Sequence, residues 1–153
     1  MSLDPYGAQS PRLPGPFGRQ TMAHHHYDMH LRHPDGSARG TKRHVSATVV
    51  RVFLGDRIST DGAEHQHIWI DDLRALDDGS GYTADVFVAI RITNGGIGED
   101  IPFQVDTQVE LQGMFIPALE ADPGPDNPHL AVMHFVHAPV GFIRYEGKMY
   151  DRG

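Results

Sequence analysis

The sequence predicts an all-β protein, because five segments with the lengths and residue types of strands follow one another and no convincing amphipathic helix separates them. The segments are rich in β-branched and aromatic residues, and clusters of turn-forming residues lie between them. They are HVSATVVRVFL (44–54), HQHIWID (65–71), DVFVAIRIT (85–93), TQVELQGMFI (107–116) and HLAVMHFVH (129–137). A last piece, GFIRYEGKMY (141–150), has the pattern of a hairpin that turns at Glu146-Gly147.

The number and spacing of these strands, with a long connection between the third and fourth, suit a small five-stranded Greek-key barrel of the OB type. A β-sandwich is the alternative, since strand count alone does not decide whether a sheet closes. In the third segment, alternate residues from Val86 to Ile92 are apolar and predict one buried face. In the fourth, Gly113 interrupts the pattern and predicts a bulge or a sharp bend.

Residues 1–40 form a separate segment that predicts an extended or disordered arm, and residues 41–153 form the barrel domain. The arm contains five prolines and shows no sustained period of 2 or 3.6. It cannot bury enough apolar surface to offset an ordering cost of roughly 1–2 kcal/mol per residue. We therefore expect it to take shape only against a partner, as part of a homo-oligomer or larger protein assembly. A disordered leader on a monomer is the alternative. The candidate partner-binding anchors are Tyr6, Phe17, Tyr27 and Leu31.

Charge and composition exclude several classes of function. The formal net charge is −7, and residues 41–153 carry nine basic and seventeen acidic side chains, so 9 − 17 = −8. This acidic barrel argues against nucleic-acid binding, which depends on lysine and arginine displacing counterions. The absence of cysteine from the sequence excludes disulfides and thiolate metal sites. The sequence contains no long apolar run and no signal-peptide core, so we expect no membrane association and a cytoplasmic location.

The stretch HQHIWI (65–70) places His65, His67 and Trp69 on one face of a strand. With His134 or His137 from the fifth strand, these histidines could form a three-histidine zinc site with an open position for water. Such a site would predict a metal-dependent hydrolase. However, His134 and His137 point to opposite faces of an uninterrupted strand. The alternative is that His65, His134 and His137 hydrogen-bond within the barrel or line a polar patch, in which case we expect them to be spatially separate and individually bonded.

A third possibility is the oligonucleotide or small-ligand binding for which OB barrels are known. Its candidate residues are Trp69, Phe87 and Arg91 on the second and third strands. Nearby aspartates would repel phosphate. The turn-dense stretch EADPGPDNP (120–128) predicts a solvated loop.

From about residue 45 to residue 150, the chain resembles a bacterial family known as domain of unknown function 3465, usually described as OB-like. The resemblance lies in an ordered series of landmarks. These are ATVVRV (47–52), His65-Gln66, VFVA (86–89), Pro102, Asp106, Gly113, His134 to His137, Gly141-Phe142-Ile143 and Gly147-Lys148. It implies an OB-like barrel and a shared histidine set of His65, His134 and His137. It implies no reaction, because the family has no established activity.

The chain also departs from that pattern. His67 stands where the family has arginine, and members generally begin with an export signal where this chain has an arm. Together these observations favour a non-catalytic interaction or assembly module. No catalytic residue is predicted, and zinc is expected only if the histidines form a site.

Overall fold

A computed structural model describes residues 25–27, 31, 33–35 and 37–152, and these residues form strands, turns and loops without a helix. The prediction of an all-β protein is therefore confirmed. In chain order the strands are β1 His25–Tyr27, β2 Thr41–Val52, β3 Arg57–Ser59, β4 Glu64–Ala75, β5 Gly81–Tyr82, β6 Val86–Arg91, β7 Gln108–Ile116, β8 Ala131–His134, β9 Phe142–Tyr145 and β10 Lys148–Tyr150.

Five of these strands close into a barrel in the order β2-β4-β6-β8-β7, with β7 returning to β2. Four of the five pairs are antiparallel, and β6 with β8 is the parallel pair. The prediction of a small OB-like barrel is confirmed. A sandwich is wrong because hydrogen bonding continues around the sheet.

The barrel interior follows the alternation of the sequence, and the apolar residues of β6 that the pattern selected lie in the main core. The long connection from residue 92 to residue 107 adds Ile97, Ile101 and Phe103 to the same core. The buried amide of Gln66 holds this connection, because it donates to the carbonyl of Ile101 at 2.7 Å and accepts from its N–H at 2.9 Å. The long connection predicted between the third and fourth strands thus completes the core.

Gly113 permits a close approach of two strands. The register between β2 and β7 runs unbroken through this residue, so there is no bulge between these two strands, and the alternative of a sharp bend stays a prediction. Along its other edge, β7 pairs with β9 at residues 110–112 and with β8 at residues 114–116. A Cβ atom at Gly113 would lie only 2.6 Å from the carbonyl oxygen of His134. Glycine is needed here for space.

The C-terminal hairpin is confirmed. Strands β9 and β10 are antiparallel, and Glu146 and Gly147 form the turn with φ angles of 50° and 81°. Two positive φ values match the twist of a tight hairpin. Because β9 also pairs with β7, Tyr145 enters the core, and its hydroxyl accepts from the N–H of Gln104 at 3.0 Å.

The described part of the predicted arm lies against its own barrel. Strand β1, which contains Tyr27, pairs in parallel with β3. Leu31 packs on a cluster outside the barrel, and the guanidinium of Arg39 donates to the carbonyl of Glu120 at 2.5 Å. These described residues of the arm contact their own chain, and the expectation that the arm becomes ordered against a partner stays a prediction. Tyr6 and Phe17 lie outside the described residues.

Candidate functional site

The outer face of β4 and β6 carries a second apolar cluster, which we call the outer cluster. Its buried members are Trp69, Phe87, Ala89, Ile116 and Val132, and Leu31, Val50, Phe53, Ala121 and Leu130 pack against them. Ala121 and Leu130 belong to the loop of residues 117–130, which we call the cover loop. Phe87 is fully buried and Trp69 nearly so. These two predicted ligand-binding rings are therefore covered, and a ligand cannot reach them in this arrangement.

One aspartate fastens the cover loop to the barrel. Nδ1 of His67 and Nε of Arg57 each donate to Oδ2 of Asp126 at 2.8 Å. Nε1 of Trp69 donates to the backbone carbonyl of Asp126 at 2.7 Å. Asp126 has a φ of 66°, a left-handed conformation that aspartate tolerates better than most residues. The prediction of a solvated loop is wrong for Asp126 and Asn127, because the Asp126 side chain is only 14% exposed and is hydrogen-bonded, and Asn127 is buried.

The electrostatics of this contact leave a charged aspartate beside a neutral imidazole. Burial lowers the pKa of His67, although the hydrogen bond and charge of Asp126 oppose that shift. Burial also disfavours the charged carboxylate, but the hydrogen bond from His67 and the Arg57 guanidinium hold the pKa of Asp126 below its usual value. Arg57 thus supplies the compensating charge, and neutral His67 contributes a hydrogen bond.

His67 is therefore placed away from the role of metal ligand that its sequence position indicated. Its Nδ1 faces the cover loop, and its ring packs edge-on against Phe87 with 4.7 Å between centroids. Within the described part of the chain, no group of three or more histidine, aspartate or glutamate side chains has an arrangement that could hold a metal ion.

The other three predicted histidines meet at one pocket. A cavity of about 60 Å³ opens at the end of β4, β6 and β8, and we call it the histidine pocket. It is lined by Leu31, His65, Ala89, Arg91, His134, Phe135 and His137. The prediction that the histidines are spatially separate is wrong. The structure brings together the set that the family resemblance implied, with Arg91 beside it.

The backbone at Phe135 explains how His134 and His137 reach the same pocket. Strand β8 ends at His134, and Phe135 adopts a φ of 54°. This left-handed residue breaks the alternation that would place the two histidines on opposite faces. Such a conformation costs about 1–3 kcal/mol for a bulky residue and persists only where its surroundings enforce it. Gly113 makes this backbone arrangement possible, because its lack of a side chain leaves room for the carbonyl of His134.

Each of the three rings directs one nitrogen at a backbone carbonyl. The distances are 3.3 Å from His65 Nδ1 to Ala63, 2.8 Å from His134 Nε2 to Arg39, and 3.0 Å from His137 Nδ1 to Ala138. A carbonyl only accepts, so these nitrogens carry the hydrogen. The prediction that each histidine is individually hydrogen-bonded is confirmed.

Charge around the pocket is unevenly distributed. Arg91 donates to Asp61 at 3.0 Å and to the carbonyl of Asn94 at 3.0 Å, which fixes its guanidinium. Burial lowers the pKa of His65 to about 4, and the repulsion from a protonated His67 and the charge of Arg91 act in the same direction. At neutral pH the His65 ring is therefore uncharged.

A larger cavity of about 120 Å³ lies between β2, β4 and β5. Its lining is mainly apolar, and its charged member, Arg43, donates to Asp78 at 3.1 Å and to Asp77 at 3.3 Å. Among the described residues, the titratable side chains that line a cavity therefore gather at the histidine pocket and not at this larger cavity.

No protein family, curated protein or solved structure that was compared with the chain matches it. The likeness to the bacterial family therefore stays a prediction. Within the residues described, no helix has the length and apolar character needed to cross a membrane.

Proposed function

We propose that this protein is a non-catalytic interaction module that assembles with copies of itself through its N-terminal residues. The observation that supports this proposal is that the C-terminal part of the arm is anchored on its own chain. Strand β1 pairs with β3, and Leu31 packs on the outer cluster. Residues 1–24 precede this anchored strand and contain two aromatic side chains, Tyr6 and Phe17.

Two exposed leucines offer a surface that could receive those aromatic residues. Leu54 is 87% exposed and Leu119 is 100% exposed. Each lies close in sequence to a residue that packs on the outer cluster: Leu54 follows Phe53, and Leu119 is two positions before Ala121. Contiguous exposed apolar surface is typical of protein interaction sites, and the proposal requires Leu54 and Leu119 to contribute to such a surface. We assign this surface to the arm of a second copy.

The charges of the two parts are complementary. Residues 1–40 carry four arginines and three aspartates, whereas residues 41–153 carry a balance of 9 − 17 = −8. Two barrels repel each other, but a slightly basic arm is attracted to an acidic barrel. This favours a second copy's arm over a second copy's barrel as the occupant, and it predicts that assembly weakens as salt is added.

Sedimentation velocity over a range of protein concentrations tests the proposal. We expect the full chain to form oligomers and a variant lacking residues 1–24 to sediment as a monomer. Circular dichroism of the shortened variant should retain the β spectrum, because β1 and the barrel are intact. If both proteins have the same mass at every concentration, assembly through the arm is wrong.

Point variants separate the two sides of the contact. Leu54→Ser and Leu119→Ser should weaken assembly, as should Phe17→Ser on the arm. Leu76→Ser is the matched control, because Leu76 is also exposed but lies beside the start of β2, where its N–H donates to the carbonyl of His44. Equal effects of the control and the test variants would contradict the assigned surface.

A further inference from the structure

A shift in strand pairing places Arg51 on the outside of the barrel. Alternate residues of β2 up to Val49 lie in the main core, and uninterrupted alternation would send Arg51 in the same direction. The register with β4 shifts between these two residues, so that Val49 pairs with Ile70 and Arg51 pairs with Trp69. Val50 is therefore an extra residue in β2, and such a bulge re-aims the side chains that follow it. As a result, the Arg51 guanidinium lies over Trp69 on the outer cluster.

Two aromatic rings hold this guanidinium. Its central carbon lies 4.4 Å from the centroid of Phe53 and 4.9 Å from that of Trp69. The two rings meet edge-on with 5.7 Å between their centroids. A guanidinium beside aromatic rings is attracted by their π electrons and keeps its N–H donors for a further partner. The half-buried Arg51 side chain is thus positioned before such a partner arrives.

Arg51 differs from most arginines of the barrel in having no acidic neighbour. Among the described residues, no carboxylate lies within ion-pair distance of it, although residues 41–153 carry seventeen acidic side chains. A guanidinium offers a planar fork of N–H donors that matches the two oxygens of a carboxylate. The arginines that do contact a carboxylate, at 3.4 Å or less, are Arg39, Arg43, Arg57, Arg91 and Arg144.

The surface beside Arg51 is the one assigned to the arm of a second copy. Leu54 follows Arg51 by three positions and is largely exposed. Residues 1–24 contain a single acidic side chain, Asp4, which stands two positions before Tyr6 and directly before a proline. A residue before proline favours extended backbone, and two positions of extended chain span about 7 Å. A carboxylate at Arg51 and an aromatic ring at Leu54 fit this spacing.

We propose that Arg51 binds the carboxylate of Asp4 from the arm of a second copy and so fixes the position of that arm on the barrel. This inference rests on the proposed function, because it names the contact that positions the arm. The general attraction between a slightly basic arm and an acidic barrel selects no register. The single acidic residue of residues 1–24 does select one, since its charge is attracted to the Arg51 cation and repelled by the acidic surroundings.

A double-mutant cycle, measured by sedimentation equilibrium of the full chain, tests the contact. Asp4→Asn and Arg51→Gln should each weaken association about tenfold per contact, because each removes a charge-assisted hydrogen bond. The double variant should associate about as strongly as either single variant. Independent effects would instead multiply to about a hundredfold loss.

Controls remove the same charges elsewhere. Arg74→Gln takes one positive charge from an exposed position of β4, and Asp28→Asn takes one negative charge from outside residues 1–24. Neither should weaken association by more than about twofold. If Arg51→Gln loses the native circular dichroism spectrum, Arg51→Lys replaces it, because lysine keeps the charge and loses the planar fork. In that background Asp4→Asn should have a smaller effect than in the native chain.

The outcomes separate this inference from the proposed function. If the native chain associates through residues 1–24 but Asp4→Asn and the Arg51 variant associate as tightly as the native chain, the Arg51 contact is wrong and assembly through the arm stands. Multiplying effects in the double variant would also overturn the contact. If the native chain is monomeric at every concentration, both the contact and the proposed function are wrong.

Discussion

Removing the carboxylate of Asp126 should detach the cover loop and destabilise the protein. The side chains of Arg57 and Asp126 are only 11% and 14% exposed, so Asp126→Ala leaves a largely buried guanidinium without its carboxylate. Breaking a buried pair in this way costs about 3–5 kcal/mol. Alanine at a φ of 66° adds about 1–2 kcal/mol. The sum, about 4–7 kcal/mol, is an upper limit, because the loop can detach and rehydrate Arg57 before the barrel unfolds.

Trp69 reports this detachment without a label, since it is the only tryptophan in the sequence and its indole N–H donates to the Asp126 carbonyl. In Asp126→Ala we expect red-shifted emission and faster quenching by acrylamide under native conditions. Urea unfolding followed by circular dichroism measures the loss of unfolding free energy. If the cover loop detaches first, the Trp69 emission should change at a lower urea concentration than the circular dichroism signal.

Two variants make the comparison specific. Asp126→Asn accepts the left-handed backbone and keeps an acceptor oxygen but loses the charge, so about 1.5–3 kcal/mol of unfolding free energy should be lost. Asp122→Asn lies in the same loop, but its carboxylate is 49% exposed and contacts Arg39 at 3.4 Å. An exposed ion pair contributes under about 1 kcal/mol, and emission should not change. The reasoning is refuted if Asp126→Ala keeps the native emission and the native urea midpoint.

Two further predictions concern the histidine pocket and the strands beside it. The pKa of His65 is lowered to about 4 in the folded chain and is about 6.5 when unfolded, so the unfolded state takes up its proton first and stability falls as pH drops through this window. His65 contributes about 2.5 kcal/mol to that loss of stability at pH 4.5. The urea midpoint of His65→Gln should therefore drop less between pH 7 and pH 4.5 than that of the native chain. An equal drop would show that the lowered pKa of His65 is not the cause. Gly113→Ala should cost about 1–3 kcal/mol in thermal or urea unfolding, because its Cβ would meet the carbonyl of His134 at 2.6 Å. Gly81→Ala is the control, since its Cβ would lie 3.7 Å from the nearest atom, and equal losses in the two variants would show that backbone crowding is not the cause.

Features of the fold that depend on neighbours in the chain could be predicted from the sequence. Alternation of apolar residues in β6 selects the buried face directly, because side chains in a strand point to opposite sides in turn. Glu146-Gly147 marks the hairpin because that turn needs two positive φ values. The five barrel strands follow from the same local signals.

The candidate site was predicted only in part. His65, His134 and His137 stood out by residue type and by the family resemblance, and the structure does bring them to one pocket. Their shared location was not predictable from spacing, since strand alternation separates two of them. The left-handed backbone at Phe135 overrides that alternation, and an aromatic residue gives no sequence signal for such a conformation.

Other features were decided by the tertiary structure alone. Asp126 meets His67 across 59 positions of sequence, and a turn-rich loop gives no sign of which strand it will cover. Trp69 and Phe87 read as an open stacking surface in the sequence, yet the cover loop and Leu31 bury them. By itself the sequence determined the strands and the buried face of β6, because burial with a period of two is a local property. Which face of that sheet is covered, and by which segments, depends on contacts between distant residues, and only the folded chain decides them.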